Sequence, residues 1–215
     1  YGKINLGLDV VRKREDGYHE VRMIMQTVRV YDKIDLVRSE QPGIRLETNL
    51  YYLPDNENNL GYRAAKLLMD EFGVTEGVEI KMKKFIPVAA GMAGGSSDAA
   101  AVLFGVNKMF SLGLTTEQLM ERGVKLGADV PYCIMRVTAL SEGIGEILTP
   151  LPPMPQCQIL IAKPPISVST KFVYENLYLP SLSRDAHPNI DKIAKALASR
   201  DFYGVADNLG NILET

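Results

Sequence analysis

The chain has 215 residues, of which 46% are hydrophobic and 23% are charged, and its formal net charge is −2. This ordinary globular composition excludes a largely disordered chain and allows one large domain or two small ones. The small negative charge argues against a surface built for nucleic acid or an anionic membrane. A phosphorylated ligand would therefore have to be held by local donors.

Two cysteines, Cys133 and Cys157, are too few for a disulfide framework and favour a reducing compartment. No apolar run approaches the roughly 20 residues that span a bilayer, and no signal segment opens the sequence. These patterns predict a cytoplasmic protein. The sequence opens at Tyr1 inside a strand-like pattern and stops at Thr215 inside a helical one, so we expect a longer natural chain.

The first part of the chain is predicted to be rich in β-structure. Alternating apolar positions predict a strand over residues 4–10, and β-rich stretches at residues 21–30 and 33–38 suggest a meander. From Asn56 the apolar spacing becomes helical, and Gly73 stands where that helix should stop.

The middle of the chain is predicted to be mixed. Residues 78–84 alternate as a strand, and a glycine-rich loop at residues 91–95 leads into an apolar helix. Thr115 and Gln118 have the spacing of a capping box, which opens a helix that ends near Gly127.

A proline-rich segment at residues 150–155 is the predicted domain boundary. A short apolar strand at residues 158–162 follows it. Helical patterns then begin at Ser169, Asn189 and Asp201. This order of β-rich, mixed and α-rich segments predicts an α+β protein rather than a regular βαβ array.

The most informative stretch is residues 87–100, which read PVAAGMAGGSSDAA. Three glycines within five residues free the backbone to adopt φ > 0 and to direct its N–H groups toward one point. Serines and an aspartate then occupy the N-cap region of the following helix, whose N-terminus attracts anions. The pattern predicts a phosphate site, although a tight connection capped by Ser96 or Ser97 would look similar. It is neither a Walker A loop nor a G-x-G-x-x-G fingerprint.

This loop resembles the second motif of the GHMP kinases, P-x-x-x-G-[LM]-G/A-x-S-S. Its Ser-Ser-Asp-Ala-Ala continuation is similar to the branch that acts on a cytidine-diphosphate-linked methylerythritol. Five further segments resemble motifs of that branch, in the same order. They read GKINL at residues 2–6, DGYHE at 16–20, NNL at 58–60, GADVP at 127–131 and GIGE at 143–146.

The resemblance implies an α+β, GHMP kinase-like two-domain fold. Residues 1–150 would form a ribosomal-protein-S5-like N-terminal domain that binds ATP, and residues 151–215 would begin an α+β C-terminal domain. The family's third motif, S-G-S-G-P-T, would lie beyond Thr215, so the second domain looks truncated. Val137 departs from the family, which usually has Gly there.

The resemblance also implies site residues. Asp129 would accept the proton of the attacking hydroxyl, and Lys3 would keep Asp129 ionised and offset charge on the transferred group. His19 would read the cytosine edge, and Tyr174 would stack on the ring. ATP is the implied cofactor, with Mg²⁺ as its counter-ion and no side chain assigned to the metal. The expected catalytic residues are Lys3 and Asp129; the substrate-binding residues are Asn5, Tyr18, His19 and Tyr174; the ATP-binding residues are Asn58, Pro87, Val88, Ala89, Ala90, Gly91, Met92, Ala93, Gly94, Gly95, Ser96 and Ser97.

Each of these residues also has a plainer explanation. Lys3 would normally be a solvated charge, Asp129 an Asx turn, and residues 81–84 a solvated strand face, although Lys83 or Lys84 could lie near the nucleotide. Three rival functions stay open: a GHMP kinase for mevalonate, homoserine or a sugar; a non-catalytic anion-binding protein; and a β-rich RNA-binding domain. The missing basic excess disfavours the last. The partner is expected to be a small-molecule substrate, and the sequence does not indicate an oligomeric state.

Overall fold

The strands of the described residues form two β-sheets, and each sheet lies in a different compact unit. The computed structural model describes residues 1–166 and 169–214. Unit 1 comprises residues 1–2, 28–88 and 92–136, and unit 2 comprises residues 3–27, 89–91 and 137 onward. The predicted division at residue 150 concerns family domains and stays a prediction.

The elements are numbered in chain order. The strands are β1 Lys3–Lys13, β2 His19–Thr27, β3 Lys33–Ser39, β4 Gly43–Thr48, β5 Gly77–Lys83, β6 Ala139–Glu142, β7 Ile147–Pro150 and β8 Gly210–Asn211. The helices are α1 Leu60–Glu71, α2 Gly94–Met109, α3 Thr116–Val124, α4 Val130–Met135, α5 Thr170–Asn176, α6 Ile190–Ala198 and α7 Phe202–Ala206.

Unit 1 is built on a three-stranded sheet with the order β3-β5-β4. The central strand β5 runs antiparallel to β3 and parallel to β4. Helices α1 and α2 pack on each other, and α2 also contacts β3. Leu68 of α1, Ile80 of β5 and Leu103 of α2 are among the fully buried side chains. Burial of each such side chain stabilises the folded state by about 1.5–3 kcal/mol. This packing fixes the position of α2 in unit 1.

Unit 2 contains a five-stranded sheet with the order β7-β6-β2-β1-β8. Helix α6 lies against β1 and β2, where Ile193 packs with Leu6 and Ile24. Gly7 of β1 is required for this close approach. A Cβ on Gly7 would lie only 2.7 Å from the side chain of Ile193.

Several predicted elements are confirmed by their caps. Thr115 and Gln118 form the predicted capping box at α3. The side chains of Ser169, Asn189 and Asp201 accept backbone N–H bonds at the starts of α5, α6 and α7. Short polar side chains compete for free helix N–H groups, so this signal is local and readable from sequence.

Two predictions of strands are wrong. Strands β1, β2 and β3 do not form a meander, because β3 pairs with β5 in the other sheet. Residues 158–162 form no strand, and Leu160 is 95% exposed. An apolar run becomes a strand only where a partner supplies hydrogen bonds, and the described residues offer none there. Within the same described residues, no helix is long and apolar enough to cross a membrane.

Candidate active site

The glycine-rich loop owes its shape to three left-handed residues on alternate positions. These are Ala89 with φ 53°, Gly91 with φ 68° and Ala93 with φ 54°. Ala90 and Met92, which separate them, are not left-handed. Left-handed residues within a turn can direct backbone N–H groups to one side, as in the concave nests that bind anions. The backbone therefore supports the phosphate-binding role predicted for the loop.

The structure corrects how the glycines act. Gly94 and Gly95 are the first residues of α2 and have no positive φ, so their expected left-handed freedom is not used. Ala93 is the N-cap, and it makes no side-chain capping bond. Capping by Ser96 or Ser97 is therefore wrong, because both lie within the first turn of α2. A left-handed alanine costs about 1–2 kcal/mol, so the loop backbone is strained at Ala93.

Ser97 is a buried hydroxyl at this helix start. Its Oγ accepts a hydrogen bond from the backbone nitrogen of Tyr1 at 3.0 Å. Gly95 beside it is exposed, and a Cβ there would meet only Leu60, at 3.4 Å. The helix start thus has one side fixed by the protein and an open side where an anion could approach.

Sequence reasoning missed a buried charge cluster behind the loop. Lys84 donates through Nζ to the carboxylates of both Asp32 and Asp98, and all three side chains are at most 6% exposed. Asp32 Oδ1 also accepts from the backbone N–H groups of Phe85 and Ile86. The sequence predicted Lys84 on a solvated strand face, which is wrong for that residue and right for Lys81 and Lys83.

The alternation of buried residues along β5 already indicated that Lys84 faces the interior. Val78, Ile80 and Met82 are buried on one face of β5, and Lys84 falls on the same alternation. A lysine on an apolar face needs a carboxylate partner, because an unpaired buried charge is very costly. The partner Asp32 lies 52 positions away, so its identity was not readable from the period.

The two carboxylates of the cluster titrate in opposite directions. Burial raises the pKa of Asp98 to about 7, and Asp32 nearby adds to the rise, while Lys84 opposes it. Burial alone would raise the pKa of Asp32. The hydrogen bonds that its carboxylate accepts from Lys84, Ile86 and Phe85 outweigh burial, so the pKa of Asp32 is lowered. One proton is therefore held near neutral pH by Asp98, whose Oδ1 is buried and has no hydrogen-bond partner among the described residues.

The backbone of Lys84 is fixed as well. Asn49 accepts from Lys84 N through Oδ1 at 2.7 Å and donates through Nδ2 to Lys84 O at 3.3 Å. Near the start of α1, Asn59 caps Gly61 N at 2.9 Å, whereas the predicted adenine-framing Asn58 is exposed. The role of Asn58 stays a prediction.

The structure brings Lys3 and Asn5 together on β1, where Lys3 Nζ donates to Asn5 Oδ1 at 3.2 Å. Lys3 is only 6% exposed, so it is not a solvated strand-edge charge. Asp129 belongs to unit 1, and Lys3 belongs to unit 2. Asp129 is half-buried at the N-cap of α4 and makes no capping bond there, so the Asx-turn explanation is not supported. The left-handed residue near Val137 is Arg136, so Val137 itself needs no glycine.

The predicted base-recognition residues also meet. The rings of His19 and Tyr174, which are 155 positions apart, have centroids 5.2 Å apart and planes inclined by 38°. Burial, followed by the charge of Lys13, lowers the pKa of His19, so its ring is neutral near pH 7 and can both donate and accept. Tyr18 is 61% exposed and makes no part of this ring contact.

Comparison with known proteins separates the candidate functions. The profile of the GHMP kinases N terminal domain matches residues 59–136. The 4-diphosphocytidyl-2-C-methyl-D-erythritol kinase of Lachnoclostridium phytofermentans is 58% identical over all 215 residues, which cover 73% of that protein. This chain belongs to the 4-diphosphocytidyl-2-C-methyl-D-erythritol kinase family. It is a kinase, as the sequence predicted.

Other members of the 4-diphosphocytidyl-2-C-methyl-D-erythritol kinase family agree. The kinase of Lachnospira eligens is 56% identical over 99% of this chain and 73% of its own length. A crystal structure of 4-(cytidine 5'-diphospho)-2C-methyl-D-erythritol kinase is 30% identical, covers 99% of this chain and 74% of its own, and has a TM-score of 0.77. Mevalonate kinase from L. major, at 16% identity and a TM-score of 0.68 over 99% of this chain and 71% of its own, shares the fold. The predicted α+β GHMP kinase fold is confirmed.

Proposed function

We propose that this kinase transfers the γ-phosphoryl group of ATP to the 2-hydroxyl of 4-diphosphocytidyl-2-C-methyl-D-erythritol. The products would be the 2-phosphate and ADP, in the non-mevalonate pathway of isoprenoid precursor biosynthesis. The observation that carries the proposal is the 58% identity over the whole chain to a kinase of that name. The reaction would take place in the cytoplasm.

The phosphate groups of ATP would be held by the loop and the start of α2. Phosphoryl transfer through a loose transition state needs positioning and charge stabilisation more than covalent chemistry. The alternating left-handed residues of the loop and the N-terminus of α2 supply N–H donors for this purpose. These features support the ATP-binding roles of residues 87–97.

Magnesium would enter with the nucleotide. Mg²⁺ prefers phosphate oxygens, water and one or two carboxylates to a cage made only of protein. Among the described residues, no group of three His, Cys, Asp or Glu side chains could hold a metal by itself. The ion would enter as the counter-ion of ATP and would neutralise negative charge on the transferred group.

Asp129 would act as the base for the acceptor hydroxyl. Its carboxylate is half-buried and makes no capping hydrogen bond to α4. An oxygen is therefore available to accept a proton from the acceptor hydroxyl. Lys3 would offset the negative charge of the transferred group, and its burial fits a role other than solubility. The joint action of these two residues rests on the family motifs.

His19 and Tyr174 would recognise cytosine. A neutral imidazole can pair with a base edge, and a phenol ring offers a surface for stacking. Uridine presents a carbonyl where cytidine presents an amino group, so edge recognition would discriminate between them. Stacking alone would not.

The proposal is tested by ATP consumption in the full-length protein with the cytidylated methylerythritol as acceptor and mevalonate as the alternative. We expect phosphate on the 2-hydroxyl, seen by ³¹P NMR, and no turnover of mevalonate. Asp129→Asn should lower kcat by roughly 10²–10⁴-fold with little change in ATP affinity, as for loss of a positioned base. A double variant with Lys3→Ala should lose less than the product of the single losses.

Two results would count against the proposal. Near-normal turnover by Asp129→Asn would remove this residue from the mechanism. Equal competition by CMP and UMP against the acceptor would reject cytidine recognition and favour an uncytidylated GHMP kinase substrate.

A further inference from the structure

The Lys84 cluster, made of Lys84, Asp32 and Asp98, connects the two ends of the glycine-rich loop. Asp32 binds the N–H groups of Phe85 and Ile86, directly before the loop begins. Asp98 lies in α2, four residues after the helix starts at Gly94. Lys84 bridges the two carboxylates, and its Nζ would be 3.6 Å from a Cβ on Gly94.

This arrangement is poorly explained by stability alone. Burying each charge costs several kcal/mol in desolvation, and well-packed apolar residues are often as stable as a buried ion pair. The cluster also leaves Asp98 Oδ1 buried without a partner among the described residues. Such a costly arrangement is useful where a backbone segment must be held in one geometry.

We propose that Asp98 is a positioning residue for ATP. Through Lys84 and Asp32, it would hold the residues directly before and after the phosphate loop in a fixed relative position. It would not contact the nucleotide itself. The inference rests on the proposed function for the identity of the ligand, but it concerns only the nucleotide and not the acceptor.

The charge of the cluster should then control ATP affinity. With Asp98 protonated, Lys84 and Asp32 balance each other, and Asp98 can hydrogen-bond Asp32. With Asp98 ionised, the cluster has a net charge of −1 behind the helix end that attracts anions, and it opposes the helix dipole. Among the described residues, Lys84 and Asp32 are the charged groups that act on the titration of Asp98. ATP should therefore bind best when Asp98 holds its proton.

The test is calorimetric titration of the full-length protein with adenylyl imidodiphosphate, a non-hydrolysable ATP analogue, and Mg²⁺ between pH 6 and 8.5. Asp98→Ala should raise the Kd roughly 10- to 100-fold, as expected for lost hydrogen bonds to a charged group. Asp98→Asn keeps the shape and the neutral state, so it should bind about as well as the unmodified protein at pH 6. The unmodified protein should lose affinity above pH 7, and Asp98→Asn should not.

Steady-state kinetics separate positioning from general loosening. We expect the KM for ATP to rise in Asp98→Ala, while kcat at saturating ATP and the KM for the acceptor change less than about threefold. Asp70→Asn, an exposed carboxylate of α1 that pairs with Lys66, is the matched control and should change none of these values.

Three results would overturn the inference: a folded Asp98→Ala with unchanged affinity, the same pH dependence in Asp98→Asn, or equal rises in both KM values. Should Asp98→Ala not fold, the pH profile of Asp98→Asn decides alone. Failure of the proposed function is distinguishable, because the unmodified protein would then bind the analogue without phosphorylating the acceptor.

Discussion

In the described part of the chain, Lys84 and Arg22 each pair with two carboxylates, and the two clusters behave differently. In unit 1, the Lys84 side chain is 5% exposed between Asp32 and Asp98. In unit 2, the Arg22 side chain is 34% exposed and binds Asp191 at 2.7 Å and Glu142 at 3.3 Å. The bond from Arg22 lowers the pKa of exposed Asp191, whereas burial raises the pKa of Asp98 despite its lysine.

The comparison shows that burial, and not the list of partners, decides what an ion cluster does. Water around Arg22 solvates both signs of charge, so the pairs there are weak and individually replaceable. The interior around Lys84 provides no such substitute, so each charge depends on the others. The buried cluster should therefore respond strongly to the loss of one member, and the exposed cluster should respond weakly.

The largest expected effect is the removal of the buried cation. Lys84→Met should lower the free energy of unfolding by about 3–5 kcal/mol at pH 7, because it leaves the buried Asp32 carboxylate without its cation. Urea denaturation followed by circular dichroism measures this loss. Lys66→Met, at an exposed helix pair, should cost less than about 0.5 kcal/mol and serves as the control. A loss below 1 kcal/mol in Lys84→Met would show that the buried charges are not mutually dependent.

An intermediate effect is expected from pH. The pKa of Asp98 is about 7 in the folded protein and 3.8 in the unfolded chain, so the folded state binds more protons between these values. The free energy of unfolding contributed by Asp98 should fall as pH rises from about 4 to 7, by on the order of 2–4 kcal/mol. The pKa of Asp32 is lowered in the folded protein. Its contribution to the free energy of unfolding should therefore fall as pH drops below about 4.

Asp98→Asn isolates this pH effect, because an amide does not titrate. Urea midpoints would be measured at pH 4.5, 5.5, 6.5 and 7.5. As pH rises, the midpoint of Asp98→Asn should increase relative to that of the unmodified protein. Parallel curves across this range would mean that Asp98 keeps an ordinary pKa in the folded protein.

The smallest expected effect is in the exposed cluster. Arg22→Met should cost at most about 1 kcal/mol, and the cost should shrink in 1 M salt, which screens exposed charges. The same urea assay at low and high salt measures it. A cost as large as that of Lys84→Met would remove the distinction between the two clusters.

The sequence predicted local features better than distant ones. The capping residues Thr115, Asn189 and Asp201 were readable, because a cap depends on a side chain and on N–H groups within three residues. The phosphate loop was found from its glycines and from its resemblance to a family motif. Of its left-handed positions, Gly91 was among the predicted glycines, and the other two were not found because they are alanines.

Contacts between distant residues were not predictable from composition or period. The pairing of β3 with β5, the ring contact of His19 with Tyr174 and the pairing of Lys84 with Asp32 all join residues far apart in the chain. Family resemblance supplied His19 and Tyr174 as candidates, but no motif pointed to Asp32. A period of two could have marked Lys84 as inward-facing, although it could not have named its partners.

The left-handed Ala93 has a consequence for the unfolded chain. An alanine there is strained in the folded loop by about 1–2 kcal/mol. A glycine would relieve that strain but would give the unfolded chain more conformations to lose, at a cost of about 0.4–1 kcal/mol. The two terms oppose each other, and their difference of about 0–1.6 kcal/mol favours glycine at position 93. The entropy of the unfolded chain thus offsets part of the strain, which is a thermodynamic reason for a motif to tolerate alanine at this point of the loop.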